Sequence, residues 1–128
     1  MRILVVDPDP TAREELCGIL ATMSPPPEID EAETCKAALA ALGRGVDLVV
    51  LEPLLPDASG LDVLRAAVAR DPQIPVLVVS DLDRDIDRFW ALRQGAHAFV
   101  TKPVERDVLL DRVARALEGA PRLTPERV

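Results

Sequence analysis

Side chains able to bind a cation or a phosphate follow short aliphatic runs at several points in the sequence. They are Asp7 and Asp9 behind "RILVV", Glu52 behind "DLVVL", Ser80 at the end of "PVLVVS" and Lys102 behind "AFVT". If those runs are neighbouring parallel strands, the side chains meet at one edge of a sheet. Carboxylates brought together out of water repel one another, and a cation, Lys102 or a proton relieves that repulsion.

The apolar runs are short and rich in Val and Leu, and they predict strands buried on both faces. They span residues 3–6, 47–51, 75–79 and 98–100, and a weaker candidate strand spans residues 28–33. Segments with helical periodicity lie at residues 10–23, 34–42, 61–70, 83–94 and 105–118. Strand and helix therefore alternate five times along the chain.

This alternation predicts parallel strands joined by right-handed helical crossovers, and hence a three-layer α/β sandwich. We expect a flavodoxin-like fold with a five-stranded parallel sheet in the order 2-1-3-4-5 and five helices. In such a sheet, ligands bind beyond the carboxyl ends of the strands, near the point where the strand order reverses. The function should therefore reside among the strand-end side chains.

A chain of 128 residues matches one domain, which we expect to span residues 1–120, because Gly119 and Pro121 stop the last helix. Residues 121–128 would form a tail or the start of a linker to an output domain. The net charge of −7 and the 2% aromatic content argue against direct binding of nucleic acid. No apolar stretch is long enough to span a membrane, and Cys17 and Cys35 are typical of reduced thiols. We therefore expect a cytoplasmic protein.

The motifs "RILVVD", "DLVVLEPLLPDASG", "PVLVVS" and "GAHAFVTKPV", in this order, resemble the receiver domain of bacterial two-component response regulators, over about residues 2–118. In that family, two acids after the first strand and an aspartate after the third hold Mg²⁺, and that aspartate accepts a phosphoryl group. A hydroxyl residue and a lysine grip the phosphoryl oxygens, and an aromatic residue on the fifth strand changes orientation. The resemblance assigns the first acid to Asp7, the hydroxyl residue to Ser80, the lysine to Lys102 and the aromatic residue to Phe99. It implies a signalling module and not an enzyme.

Two positions depart from the family pattern. Glu52 stands in place of the phosphoacceptor aspartate, and Pro8 stands in place of the second acid. The additional methylene of Glu52 carries its oxygens about 1–1.5 Å further into the pocket, and Pro8 offers no side-chain oxygen. The resemblance leaves Asp7, Glu52 and the backbone carbonyl of Leu54 as metal ligands. Since Mg²⁺ demands near-octahedral coordination, we expect at most weak Mg²⁺ binding and no other cofactor.

We expect the longer Glu52 side chain to contact Lys102 directly and to hold the switch residues Ser80 and Phe99 in one arrangement. Two questions stay open, namely the effect of this pair and the role of Asp9. The pair either imitates permanent phosphorylation or locks an inert scaffold, because it lacks the charge and oxygens of an acyl phosphate. Asp9 is either a second acid of the pocket or the N-cap of the first helix, and "DPTARE" favours the cap.

Trp90, on the predicted fourth helix, is either an interface anchor or a side chain lying flat over its own helix. The family commonly dimerises or docks through the face of the fourth helix, fifth strand and fifth helix. The resemblance therefore implies protein partners at that face, with a homodimer as one arrangement. The tail "LTPERV" resembles the start of a LuxR-type output domain.

We therefore expect an atypical receiver that acts by protein contact without phosphorylation of Glu52. Three alternatives to it stay open. One is an ordinary Mg²⁺-dependent receiver that is phosphorylated on Glu52. Another is the regulatory domain of a DNA-binding transcription factor whose output domain lies outside this chain. A flavodoxin-type ligand binder is disfavoured, because the acidic "DPDP" loop does not cradle a phosphate.

Overall fold

Five parallel strands form the central sheet of the computed structural model, which describes residues 1–70, 72–81 and 84–119. The strands are β1 (Arg2–Val6), β2 (Glu28–Ala32), β3 (Leu48–Leu51), β4 (Val76–Ser80) and β5 (Ala98–Thr101). The helices are α1 (Pro10–Leu20), α2 (Cys35–Gly43), α3 (Gly60–Val68), α4 (Asp85–Arg93) and α5 (Arg106–Leu117). Strand and helix alternate as the sequence pattern predicts.

The strands lie in the order β2-β1-β3-β4-β5, and each neighbouring pair is parallel. This order confirms the predicted flavodoxin-like α/β fold. Val6 pairs with Leu51 across β1 and β3, so the residues that follow them, Asp7 and Glu52, leave the sheet side by side. A hydrogen bond of 2.9 Å from Glu52 N to Val6 O continues the ladder past the strand ends. The backbone therefore aligns the two acids before any side chain makes a contact.

Aliphatic side chains pack on both faces of the sheet. One cluster joins the sheet to α2, α3 and α4, and a second joins it to α1 and α5. The middle strands β1, β3 and β4 are buried on both faces, as predicted. The same expectation is wrong for β5, where Phe99 and Thr101 are only half-buried. These two side chains are partly exposed because β5 lies at the edge of the sheet.

Local hydrogen bonds move several helix ends away from the predicted positions. Helix α1 ends at Leu20 and not at residue 23, because the amides of Thr22 and Met23 bond to carbonyls three residues earlier. Helix α2 starts at Cys35, since Thr34 is its N-cap and accepts a hydrogen bond with its side chain. Residue 83 and the predicted tail, residues 121–128, lie outside the described residues.

The helices of the described chain are all too short or too polar to cross a lipid bilayer.

The loop between β3 and α3 is tied to α2 and is closed by a hydrogen bond across its own ends. Asp57 accepts hydrogen bonds from the amides of Cys35 (2.8 Å) and Lys36 (3.0 Å) at the start of α2. These bonds hold the pKa of the Asp57 carboxyl below its usual value. The amide of Gly60 donates to the carbonyl of Pro53 at 2.9 Å. The backbone that follows β3 is therefore closely constrained.

We expect Gly60→Ala to destabilise the domain. A Cβ at Gly60 would lie 2.6 Å from Pro53 Cα and 2.8 Å from Pro53 O, and these backbone atoms cannot rotate away. The free energy of unfolding in urea should fall by about 1–3 kcal/mol, as for other overpacked sites. Gly18 in α1 is the matched control, because a Cβ there meets no atom within 4 Å. Gly18→Ala should stabilise by about 0.5–1 kcal/mol, and equal effects of the two changes would contradict this account.

Candidate functional site

Three charged side chains meet where β1, β3 and β5 end. The Lys102 Nζ atom lies 2.8 Å from Asp7 Oδ2 and 3.3 Å from Glu52 Oε1. The predicted contact between Lys102 and Glu52 is therefore present. The shorter contact is the one with Asp7, which the sequence pattern does not predict. One ammonium group thus bridges two carboxylates that come from neighbouring strands.

These charges are buried. Asp7 is 1% exposed, Glu52 is 7% exposed, and the Lys102 side chain is 20% exposed. Burial raises the pKa of Glu52 above its usual value, and the charge of Lys102 offsets only part of that effect. Burial also acts to lower the pKa of Lys102, but the hydrogen bond to Asp7 and the charge of Glu52 outweigh it and raise that pKa. The lysine therefore stays protonated and is the cation that allows two carboxylates to be buried together.

Ser80 joins this charge cluster from the end of β4. It is fully buried, and its side chain hydrogen-bonds to the Glu52 carboxylate. The amide of Leu54 approaches the other oxygen of Glu52 in a long contact of 3.4 Å. Glu52 is therefore in contact with groups from β4, from β5 and from its own loop. Of the residues singled out from the sequence, the structure brings together Asp7, Glu52, Ser80 and Lys102.

Asp9 lies outside the charge cluster. Its exposed carboxylate accepts a hydrogen bond from Thr11 N at 3.1 Å and caps α1. Its backbone amide donates to Asp7 Oδ1 at 2.9 Å. The structure thus has Asp9 as the N-cap and not as a second acid of the pocket, because capping turns the carboxylate toward the first turn of the helix.

The donor set of this site does not fit Mg²⁺. Both carboxylate oxygens of Asp7 and both of Glu52 already face an amide or the ammonium group. Pro8 has no side-chain oxygen to offer. Within the described part of the chain, no three Asp, Glu, His or Cys side chains lie close enough together to hold a metal ion. Since Mg²⁺ needs octahedral oxygen coordination, the residues present suit an ammonium group better than this ion.

Arg13 holds the backbone of the site, a role that the sequence analysis missed. Its Nη1 atom donates to the carbonyl of Asp7 at 2.8 Å, and its other nitrogens pair with Glu31 (3.0 Å) and Glu33 (2.9 Å). The only signal for this role in the sequence is the position of Arg13 one turn after the Asp9 cap. The partners follow from tertiary structure, because they lie on β2 and in the loop after it.

Phe99, a residue of β5, is contacted by a side chain of α4. The guanidinium carbon of Arg88 lies 5.8 Å from the centre of the Phe99 ring, and Arg88 Nη2 donates to Thr101 Oγ1 at 2.8 Å. Both contacts join α4 to the edge strand of the sheet. Arg88 was not predicted to contribute to the site, since the alternating charges around it are typical of a solvated helix.

Trp90 lies on the side of α4 that faces α3. It is 54% exposed and lines a cavity together with Leu61 and Leu64 of α3. Arg88, two residues earlier, faces β5, and two residues correspond to a rotation of about 200° around a helix. Trp90 and Arg88 therefore point to different sides of α4, and the interface expected at Trp90 stays a prediction.

Known proteins share this architecture. Residues 3–114 match the family model described as the response regulator receiver domain. Protein PilH of Pseudomonas aeruginosa is 31% identical over 121 residues, which cover 92% of this chain and 98% of PilH. Transcriptional regulatory protein AruR of the same species is 34% identical over 115 residues, which cover 87% of this chain and 47% of AruR. The chain therefore spans nearly all of one relative and about half of the other.

A solved structure gives the same match in three dimensions. The receiver domain of NtrX from Brucella abortus superposes with a TM-score of 0.82 at 33% sequence identity. The superposition covers 92% of this chain and 99% of that one.

We expect Lys102→Ala to destabilise the domain by about 2–4 kcal/mol, because it leaves two buried carboxylates without their shared cation. In this variant, the pKa of Glu52 in the folded state should rise further above its unfolded value. The loss should therefore be complete at neutral pH and shrink as the pH falls, because a proton on Glu52 then replaces the lysine. Urea unfolding at several pH values measures this.

Lys36→Ala is the control, since the Lys36 side chain is exposed and should change stability by less than about 0.5 kcal/mol. A Lys102→Ala loss that is equally small, or that grows toward acid pH, would show that the ammonium bridge contributes little.

Proposed function

The chain belongs to the response regulator receiver domain family, whose members are signalling modules, and from this we propose that it acts as an atypical receiver. In this proposal it signals by protein contact, without phosphorylation of Glu52. The observation that carries the proposal is the Lys102 bridge, with Nζ 2.8 Å from Asp7 and 3.3 Å from Glu52. With this bridge in place, the carboxylate oxygens at the site have partners within the protein.

The length of the Glu52 side chain and the contacts of its oxygens support the proposal. Transfer of a phosphoryl group depends on in-line positioning of the nucleophile, and displacements of about 1 Å can cost about 100-fold in rate. Glu52 carries one methylene more than an aspartate, and both of its oxygens are engaged, by Lys102 and by Leu54 N. Glu52 is therefore a poor phosphoryl acceptor.

The absence of a second acid at Pro8 supports the proposed atypical receiver independently. In phosphoryl transfer, metal ions neutralise the charge that develops on the transferred group. Pro8 and the capping role of Asp9 leave Asp7 and Glu52 as the side-chain acids of the site, and Lys102 already bridges them. In this proposal, the chain meets neither requirement of the ordinary receiver reaction well, because both the positioning of the nucleophile and the binding of the metal ion are impaired.

We infer that the output is a constant protein-binding surface. Arg88 joins α4 to Phe99 and Thr101 of β5, so two of the three elements in the face of α4, β5 and α5 are held together. Protein partners, among them a second copy of this chain, would bind there. With a net charge of −7, the domain would not contact nucleic acid directly, and a cytoplasmic location suits this role.

A wider role depends on what this receiver is joined to. AruR is a transcriptional regulatory protein of which this chain spans 47%, whereas the chain spans 98% of PilH. We propose that this receiver works either on its own or as the regulatory part of a transcription factor. The likeness of "LTPERV" to a LuxR-type output domain favours the second arrangement.

We expect no saturable Mg²⁺ binding below about 1 mM, because Lys102 takes the place of the cation and Pro8 removes a ligand. An NMR titration that follows the backbone amides of Asp7 and Glu52 measures this. The double variant Pro8→Asp, Glu52→Asp is the positive control and should gain a site. Saturation of the natural chain below that concentration would support an ordinary receiver.

We expect acetyl phosphate to leave the intact mass of the domain unchanged, because the nucleophile is displaced and the metal site is incomplete. Glu52→Asp alone should also stay unmodified, whereas adding Pro8→Asp should raise the phosphorylation rate by about 100-fold or more. A stable phosphoryl adduct on Glu52 would overturn the proposed function. Fast modification of the single Glu52→Asp variant would show that the loss of the second acid matters less than we infer.

A further inference from the structure

A cavity of about 250 Å³ lies between α3, α4 and the ends of β3 and β4. Its walls are largely apolar and include Leu61, Leu64 and Ala91, together with the rings of Trp90 and Phe99. Apolar cavities of about 150 Å³ in other proteins bind benzene. The space is therefore large enough for one aromatic ring with a small substituent.

Exposed apolar side chains surround the mouth of this cavity. Leu54 is 59% exposed and Trp90 is 54% exposed, and both belong to its lining. Large apolar side chains exposed beside a concave apolar space are typical of binding sites, because leaving them in water is otherwise unfavourable. The cavity therefore has an accessible opening as well as an apolar interior.

The charges around the cavity favour an uncharged ligand. Asp87 is the one charged residue among the described lining residues, and both of its oxygens accept from Arg84, at 3.0 and 3.2 Å. Glu52, which lies behind Ser80, is paired with Lys102. An anion would face these carboxylates, and a cation would have to compete with Arg84 or Lys102 for them. Neither charge is therefore favoured.

Polar groups at the wall can orient a ligand. Ser59 Oγ accepts from Leu61 N at 3.1 Å and can still donate its hydroxyl hydrogen, and Gln94 contributes an amide, so one hydrogen-bonding substituent can be satisfied. Ser80 also lines the cavity while its side chain hydrogen-bonds to Glu52. The cavity and the charge cluster thus share one residue.

We propose that this cavity binds a small, uncharged aromatic molecule that carries one hydrogen-bonding substituent. The ring contacts Trp90 and Phe99, and the substituent bonds to Ser59 or Gln94. Through Ser80, an occupant lies next to the Glu52 carboxylate, so the site offers an input that requires no phosphoryl group. The binding itself does not depend on the proposed function, since it holds whether or not Glu52 is phosphorylated.

Three probes with one ring and different charges test the proposal: benzyl alcohol, benzoate and benzylammonium. Trp90 is the only tryptophan of the chain, so its fluorescence reports on the cavity directly. Benzyl alcohol should bind saturably with a Kd of about 1 mM or tighter. The two charged probes should bind at least about tenfold more weakly, because each must be desolvated without a free counter-charge.

Ala91→Leu places additional carbon atoms in the cavity and should weaken benzyl alcohol binding by at least about tenfold. Ala40→Leu, at an exposed position of α2, is the matched control and should bind like the natural chain. If Ala91→Leu fails to fold, Trp90→Ala removes one wall, and ligand-observed NMR should show a similar loss. Absence of saturable binding, equal affinity for all three probes, or unchanged binding by the cavity variant would overturn the proposal.

Discussion

Two carboxylates that leave neighbouring strands side by side need a cation, and this requirement organises the site. Asp7 and Glu52 follow β1 and β3, and both are buried. Burial of two like charges is costly unless an opposite charge pairs with them. Lys102 supplies that charge from β5, across the end of β4. The burial of both acids therefore depends on one ammonium group, which reaches them from the end of a third strand.

The surrounding contacts leave each carboxylate little freedom. Arg13 holds the carbonyl of Asp7, and Asp57 ties the loop after β3 to the start of α2. Gly60 allows the start of α3 to approach Pro53, at the other end of that loop, closely. In a site this constrained, the additional methylene of Glu52 cannot be absorbed by movement of the backbone. This constraint supports our proposal that Glu52 is a poorer phosphoryl acceptor than an aspartate at the same position.

Helix α4 belongs to both proposed binding sites, because its two sides face different neighbours. Arg88 points to β5 and contacts Phe99 and Thr101, whereas Trp90 points to α3 and lines the cavity. A protein bound to the face of α4, β5 and α5 and a small molecule in the cavity would therefore approach the helix from opposite sides. Phe99 contacts both, since it packs beneath Arg88 and also lines the cavity. Occupancy on one side can thus affect the other through this ring.

The sequence by itself determined the fold, because strands alternating with helices and joined by right-handed crossovers allow few topologies. It also determined that Asp7, Glu52 and Lys102 lie near one another, because parallel strands end at one edge of the sheet. Only the tertiary structure decided that Lys102 lies closer to Asp7 than to Glu52, since this depends on how the side chains pack across β4. It also decided that Arg88 faces β5 and Trp90 faces α3. The charges and exposed apolar residues of α4 do not define one apolar stripe, so packing set the rotation of the helix.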